Sequence, residues 1–236
     1  AFVVLMLAGI CAYTIQGIGY ALANYFYAFV WGMTGADFIF LTLSLFAGAA
    51  AAFVLAPRVA RRGSKPRWAI LFALCGAAIS TGPYWLRLAG LFPEPGDPTL
   101  LPILFTFYIL GTMCSVSGFI LGASMMADVV EDSEAKTGRR SEGVFFAGSF
   151  FVQKCTTGLG IFLASLILSL AGFPAAAKPG MVDVATLDRL SLLFGVIYLG
   201  LAGLAAYFFS RFPFGRAEHE ARLAGFAVTG DPSSSG

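Results

Sequence analysis

The chain has 236 residues, 58% of them hydrophobic, 15% aromatic and only 12% charged, with a formal net charge of +2. Soluble globular domains carry about 25% charged residues, so the composition excludes that class and describes a polytopic membrane protein. So small a net charge, with the basic residues confined to loops, also argues against nucleic acid as a partner. The lipid bilayer is the evident one.

Six apolar runs are long enough to span as helices, at about residues 2–31, 36–56, 67–91, 99–127, 143–172 and 189–210. The expected fold is an all-α bundle of six transmembrane helices over residues 1–212, followed by a cytoplasmic, disordered tail over 213–236. The first run carries Gln16 and Asn24, two turns apart on nearly one face, with Tyr13, Tyr20 and Tyr27 close to it. Such a stripe suits either a solute cavity or hydrogen bonds between helices. The run is too long for a signal-peptide core. The chain opens Ala-Phe-Val-Val without Met or a basic leader, and so reads as starting inside or just before a span, with a segment expected ahead of it. In the third run Gly82-Pro83 marks an expected kink, and Arg87 reads as a side chain reaching for the interface.

The loops give an orientation. Arg58, Arg61, Arg62, Lys65 and Arg67 follow the second run, and Lys136, Arg139 and Arg140 follow the fourth. The alternate loops, at about 91–99 and 173–188, hold a single lysine, Lys178, among acids and prolines. By the positive-inside rule the basic loops are cytoplasmic. Both termini then lie inside, and the expected location is a bacterial inner (plasma) membrane. Cys11, Cys75, Cys114 and Cys155 sit within apolar runs without a CxxC, and the one histidine, His219, is in the tail. The common zinc and thiol-redox patterns are therefore excluded, and no cofactor or metal is expected. No run carries a histidine, an HExxH or a carboxylate pair at depth, so the chain is not read as an enzyme.

Lys154 is the most informative residue. It stands about ten residues into an apolar run, roughly 15 Å deep at ~1.5 Å per residue, near the middle of a ~30 Å hydrocarbon core. A lysine there costs roughly 2.5–3.5 kcal/mol on insertion scales, and no Asp or Glu lies deep inside another run to offset it. A substrate or another part of the protein is its expected partner. It shares a helix face with Phe150, Phe151, Thr157 and Gly158, a mixed surface suited to a cavity wall. Just before it, mixed charges crowd between the fourth and fifth runs, including Asp128, Glu131, Asp132, Glu134, Lys136, Arg139, Arg140 and Glu142. Asp128 and Asp132 share a face, and Asp132 and Lys136 make a favourable i,i+4 pair. The acids could bind arginines on a partner half and release them as an inner gate opens.

Asp128-Val-Val-Glu-Asp, then Lys136-Thr-Gly-Arg-Arg-Ser-Glu-Gly, then Phe151-Val-Gln-Lys resembles the glycoside–pentoside–hexuronide:cation symporters, the melibiose permease-like family of the major facilitator superfamily. The similar stretch covers about residues 125–160, and Arg61-Arg-Gly-Ser-Lys after the second run extends it. The resemblance implies spans seven to twelve of a twelve-helix carrier, its C-terminal half, with the N-terminal half as partner and a substrate site between the halves. It places Lys154 at the lysine lining the family's sugar cavity. It places Phe119 where the melibiose permease has a cavity tryptophan, and Phe150 at a polar cavity position. Thr157, Asn24 and Gln16 complete the candidate substrate contacts. Asp128, Glu131, Asp132, Arg139 and Arg140 form the candidate inner gate. Na⁺ or H⁺ is the implied coupling ion, with its ligands in the N-terminal half. The implied function is cation-coupled symport of a sugar, glycoside or similar small-molecule solute. The alternatives are a lipid or lysolipid carrier, since related eukaryotic proteins share the architecture and an intramembrane lysine, and a non-transporting membrane scaffold.

Overall fold

Apolar runs of this length have one way to satisfy their backbone in lipid without closing a barrel, and they take it. In the computed structural model, which describes residues 1–62, 64–139 and 141–212, six helices are each long and apolar enough to cross a membrane. They are α1 (Phe2–Tyr25), α2 (Asp37–Arg62), α3 (Lys65–Leu88), α4 (Leu100–Thr137), α5 (Glu142–Ala171) and α6 (Val184–Ser210). No strand occurs among the described residues.

The helix ends follow local chemistry. Gly90, Gly138 and Gly172 adopt left-handed φ of 68°, 66° and 73° just beyond α3, α4 and α5, conformations glycine takes without penalty. At Gly172 the amide donates to the Ser169 carbonyl and the next amide, Phe173, to Leu168, closing α5. α1 widens into a π-helical turn, Phe26–Val30, before it ends at Trp31. Three helices differ from the apolar runs, α6 by starting at Val184, five residues ahead of its run. α2 continues through Pro57, which is tolerated on an exposed face of the last turns. α4 continues ten residues past Ala127, because the charged segment stays helical until Gly138 ends it. Pro83 does not interrupt α3.

The helices pack as three close pairs: α1 with α5, α2 with α4, and α3 with α6. α3 also packs on α4 and α6 on α1, so α3 and α6 join the two flanking pairs from behind, while α1 and α4 touch lightly. The close pairs depend on missing side chains. A Cβ on Gly17 would lie 2.3 Å from the Thr157 carbonyl oxygen, and one on Gly160 would lie 2.3 Å from that of Thr14. On Gly48 it would lie 2.5 Å from the Ile109 carbonyl oxygen, where α2 crosses α4. Membrane helices gain little from hydrophobic burial against one another, so close backbone approach of this kind supplies the van der Waals contact instead.

α3 is fixed by charge at both ends. Its first residue, Lys65, holds both carboxylate oxygens of Asp128 on α4, at 2.6 and 2.7 Å. Near its last turn Arg87 donates to Asp188 on α6. Arg87 therefore does not simply reach for the interface. It has a partner that sequence spacing does not reveal, 101 positions away.

Candidate functional site

α1 and α5 run parallel in constant register. Phe2 meets Phe145 edge to face, with ring centroids 5.1 Å apart, and Gly17 meets Gly160 at the same offset further along. That register puts Lys154 level with Cys11, two residues from Tyr13. At ~100° per residue, Tyr13, Gln16 and Tyr20 lie to one side of the Gly17 contact, and Thr157, Phe150 and Lys154 lie to the matching side of the Gly160 contact. The two helices thus open these residues towards the same side of the bundle.

On this wall the Lys154 side chain is exposed, and it forms none of the salt bridges among the described residues. The Gln16 amide donates to the Tyr20 hydroxyl at 3.1 Å. Tyr20 is 68% exposed, and Asn24, one turn on, is exposed as well. Phe119 of α4 does not stand free. Tyr13 stacks on it across the light α1–α4 seam, with centroids 5.6 Å apart and planes 11° from parallel. Both rings are half-buried. Phe150 is exposed one turn before Lys154, and Thr157 is half-buried where its backbone meets Gly17.

The segment read as an inner gate lies at the α2–α3 end of the bundle. Asp128 is paired within this chain, to Lys65. Asp132 pairs with Lys136 at 2.6 Å, the i,i+4 contact its spacing suggests. Glu131 and Arg139 are exposed. Arg140 lies outside the described residues. Of the four cysteines, Cys11 and Cys114 are buried and Cys75 and Cys155 exposed, all as free thiols.

The wall offers hydrogen-bonding amides, phenols, apolar rings and one ammonium. Among the described residues no group of three His, Cys, Asp or Glu stands close enough to hold a metal ion. Sequence reasoning missed the Tyr13–Phe119 stack, because no spacing within one helix predicts a contact between two. It missed the Lys65–Asp128 pair for the same reason, although both charges at span boundaries were visible.

Six apolar helices, a tight pair at α1 and α5, and a polar wall around a lysine that has no salt bridge among the described residues define an integral membrane protein. A family model described as MFS/sugar transport protein matches residues 1–216, and the chain belongs to that family. Its six helices form half of the twelve-helix major facilitator fold. Over 88 residues it is 39% identical to an uncharacterized symporter of Synechocystis sp., covering 37% of this chain and 16% of that protein. Over 166 residues it is 26% identical to the sodium-dependent lysophosphatidylcholine symporter 1 of Gallus gallus, covering 61% of this chain and 31% of that protein. The matched stretches thus span less than a third of either relative's length.

Proposed function

We propose that this chain forms the C-terminal half of a cation-coupled symporter of a bacterial inner membrane, with both its ends cytoplasmic, and supplies one wall of a site for a sugar, glycoside or similar polar solute. One observation carries the reading. Lys154 exposes an ammonium near mid-span, level with Cys11 and open to the same side as Tyr13, Gln16, Tyr20 and Phe150. A charge in that position is costly unless something outside this chain meets it. A solute's polar groups, or a carboxylate of the N-terminal half, supply that partner. Gln16, Asn24 and Thr157 offer hydrogen bonds to hydroxyls, and the aromatic rings of Phe119 and Phe150 shape the apolar side of the cavity. Na⁺ or H⁺ drives the cycle from ligands outside this chain. Asp128, Glu131, Asp132, Arg139 and Arg140 work at the inner gate.

A second reading has its own observation. Phe150 and Phe151 are 61% and 70% exposed beside Lys154, a surface that suits an acyl chain below an anionic or zwitterionic head. The matched Gallus gallus protein is named as a lysophosphatidylcholine symporter. A binding screen of glycosides against lysolipids separates the two.

The deciding experiment is uptake by the full carrier. Lys154→Ala should abolish or severely weaken it, while expression and membrane insertion stay intact. Wild-type uptake by that variant returns Lys154 to a packing role. The half alone, reconstituted in liposomes, should not transport, since alternating access needs two bundles around one site.

A further inference from the structure

We infer that the indole of Trp31 and the phenols of Tyr84 and Tyr108 hold a buried water molecule, which bridges the end of α1 to α3 and α4. The three rings are set by packing. Trp31 follows the π-helical turn that ends α1, where its amide donates to the Phe26 carbonyl and that of Met33 to Tyr27. Its ring centroid lies 5.4 Å from that of Tyr84 and 5.3 Å from that of Phe92. Tyr84 is held in turn by Phe26 and Phe194, at 4.6 and 5.1 Å, and Tyr108 by Tyr27, at 5.9 Å. Trp31 is 2% exposed and Tyr84 5%, so bulk solvent cannot serve their polar atoms.

Those polar atoms converge. The Trp31 indole and the Tyr108 phenol both come within range of the Tyr84 hydroxyl, and the indole also within range of Tyr108. Yet Trp31 Nε1 and the Tyr108 hydroxyl oxygen, both buried, complete no hydrogen bond among the described residues. Polar groups that approach one another without reaching bonding geometry are those that a water joins. A buried N–H left unmet is costly, and rings wedged against their neighbours cannot turn to meet it. The chemistry is matched as well. An indole only donates, while a phenol donates or accepts. A water accepts from Trp31 and from one phenol and donates to the other, making three bonds, the usual number for a buried water. An anion would meet only neutral dipoles from these rings, which do not offset the loss of its hydration. α1 and α4 touch lightly, so the water ties the end of α1 to a helix that it otherwise barely holds.

The test is a crystal structure of the full carrier at a resolution that shows ordered water, beside the paired variant Tyr84→Phe, Tyr108→Phe. The wild type should show a water peak within about 3.2 Å of Trp31 Nε1 and of both phenolic oxygens, and the paired variant should lose it. Direct pairing of the three groups with no peak between them overturns the site, and so does a cluster that stays unpaired and dry. A peak that bromide replaces, seen by its anomalous scattering, overturns it in favour of an anion. In solution, the resonance Raman band that reports indole hydrogen bonding gives an independent reading. The contribution of Trp31 is the difference made by Trp31→Phe in each background. It should carry the hydrogen-bonded signature in the wild type and the free one in the paired variant. A free signature in the wild type, or a bonded one in the paired variant, overturns the proposal. The wild-type readings decide even where the paired variant fails to fold, and none of them depends on uptake or on the assignment of Lys154.

Discussion

Gly17 and Gly160 face each other where α1 crosses α5, so closely that a Cβ on Gly160 would lie 2.8 Å from the Gly17 Cα. The contact is backbone against backbone, so no flexible side chain can swing aside to relieve a substitution. It also fixes the register that brings Lys154 level with Cys11, two residues from Tyr13.

Gly17→Ala and Gly160→Ala should each force the helices apart, at a cost of roughly 1–3 kcal/mol, the usual range for overpacking. Gly158 lies on the same helix, and a Cβ added there would meet nothing within 4 Å, so Gly158→Ala is the control. Thermal unfolding of the purified carrier checks this. Equal melting temperatures for Gly158→Ala and Gly160→Ala would remove the close crossing.

The Arg87–Asp188 pair should behave as a partly buried ion pair, since the side chains are 17% and 42% exposed. Arg87→Ala should destabilise by roughly 1 kcal/mol, between a surface pair and a buried one. In a double-mutant cycle with Asp188→Ala, the double variant should be less destabilised than the sum of the single ones. Strict additivity would show that the two charges do not interact in the membrane.

Those two contacts show what could be read from the sequence. The six spans follow from apolar length alone, and each became a helix. The ends are less legible, because charge marks the end of an apolar run, while a helix ends where the backbone turns. α4 therefore runs through Asp128 to Thr137 and stops at Gly138, whose glycine was the available signal. Lys154 stood out because mid-depth charge is expensive, and its exposure in the structure leaves it accessible to a partner. Tyr13 against Phe119 and Lys65 against Asp128 depend on which helices are neighbours, and no single helix encodes that.

The stack of Tyr13 on Phe119 makes the two rings a unit. Phe119→Leu should weaken uptake mainly by loosening Tyr13, and Tyr13→Leu should weaken it by a similar factor. The double variant should lose little more than either single one, because the aromatic contact, worth about 0.5–1.5 kcal/mol, is already gone. Multiplying losses would show that each ring meets the solute separately.

The orientation can be checked with single cysteines in the full carrier on a cysteine-free background. The loop that contains Ser64 lies at the basic α2–α3 end, and so does Ser141 between α4 and α5. Basic loops stay on the cytoplasmic side, so Ser64→Cys and Ser141→Cys should be shielded from an impermeant thiol reagent in intact cells and react after permeabilisation. The opposite end needs more care in choosing a site. Gly96 has φ of 101°, a conformation a cysteine would adopt only under strain, so a failure to label there would be ambiguous. Glu94 is exposed in the same loop without that constraint, and Glu94→Cys should react in intact cells. Labelling at Ser64 and Ser141 with protection at Glu94 would invert the topology, and would move the proposed inner gate around Asp128 to the outside.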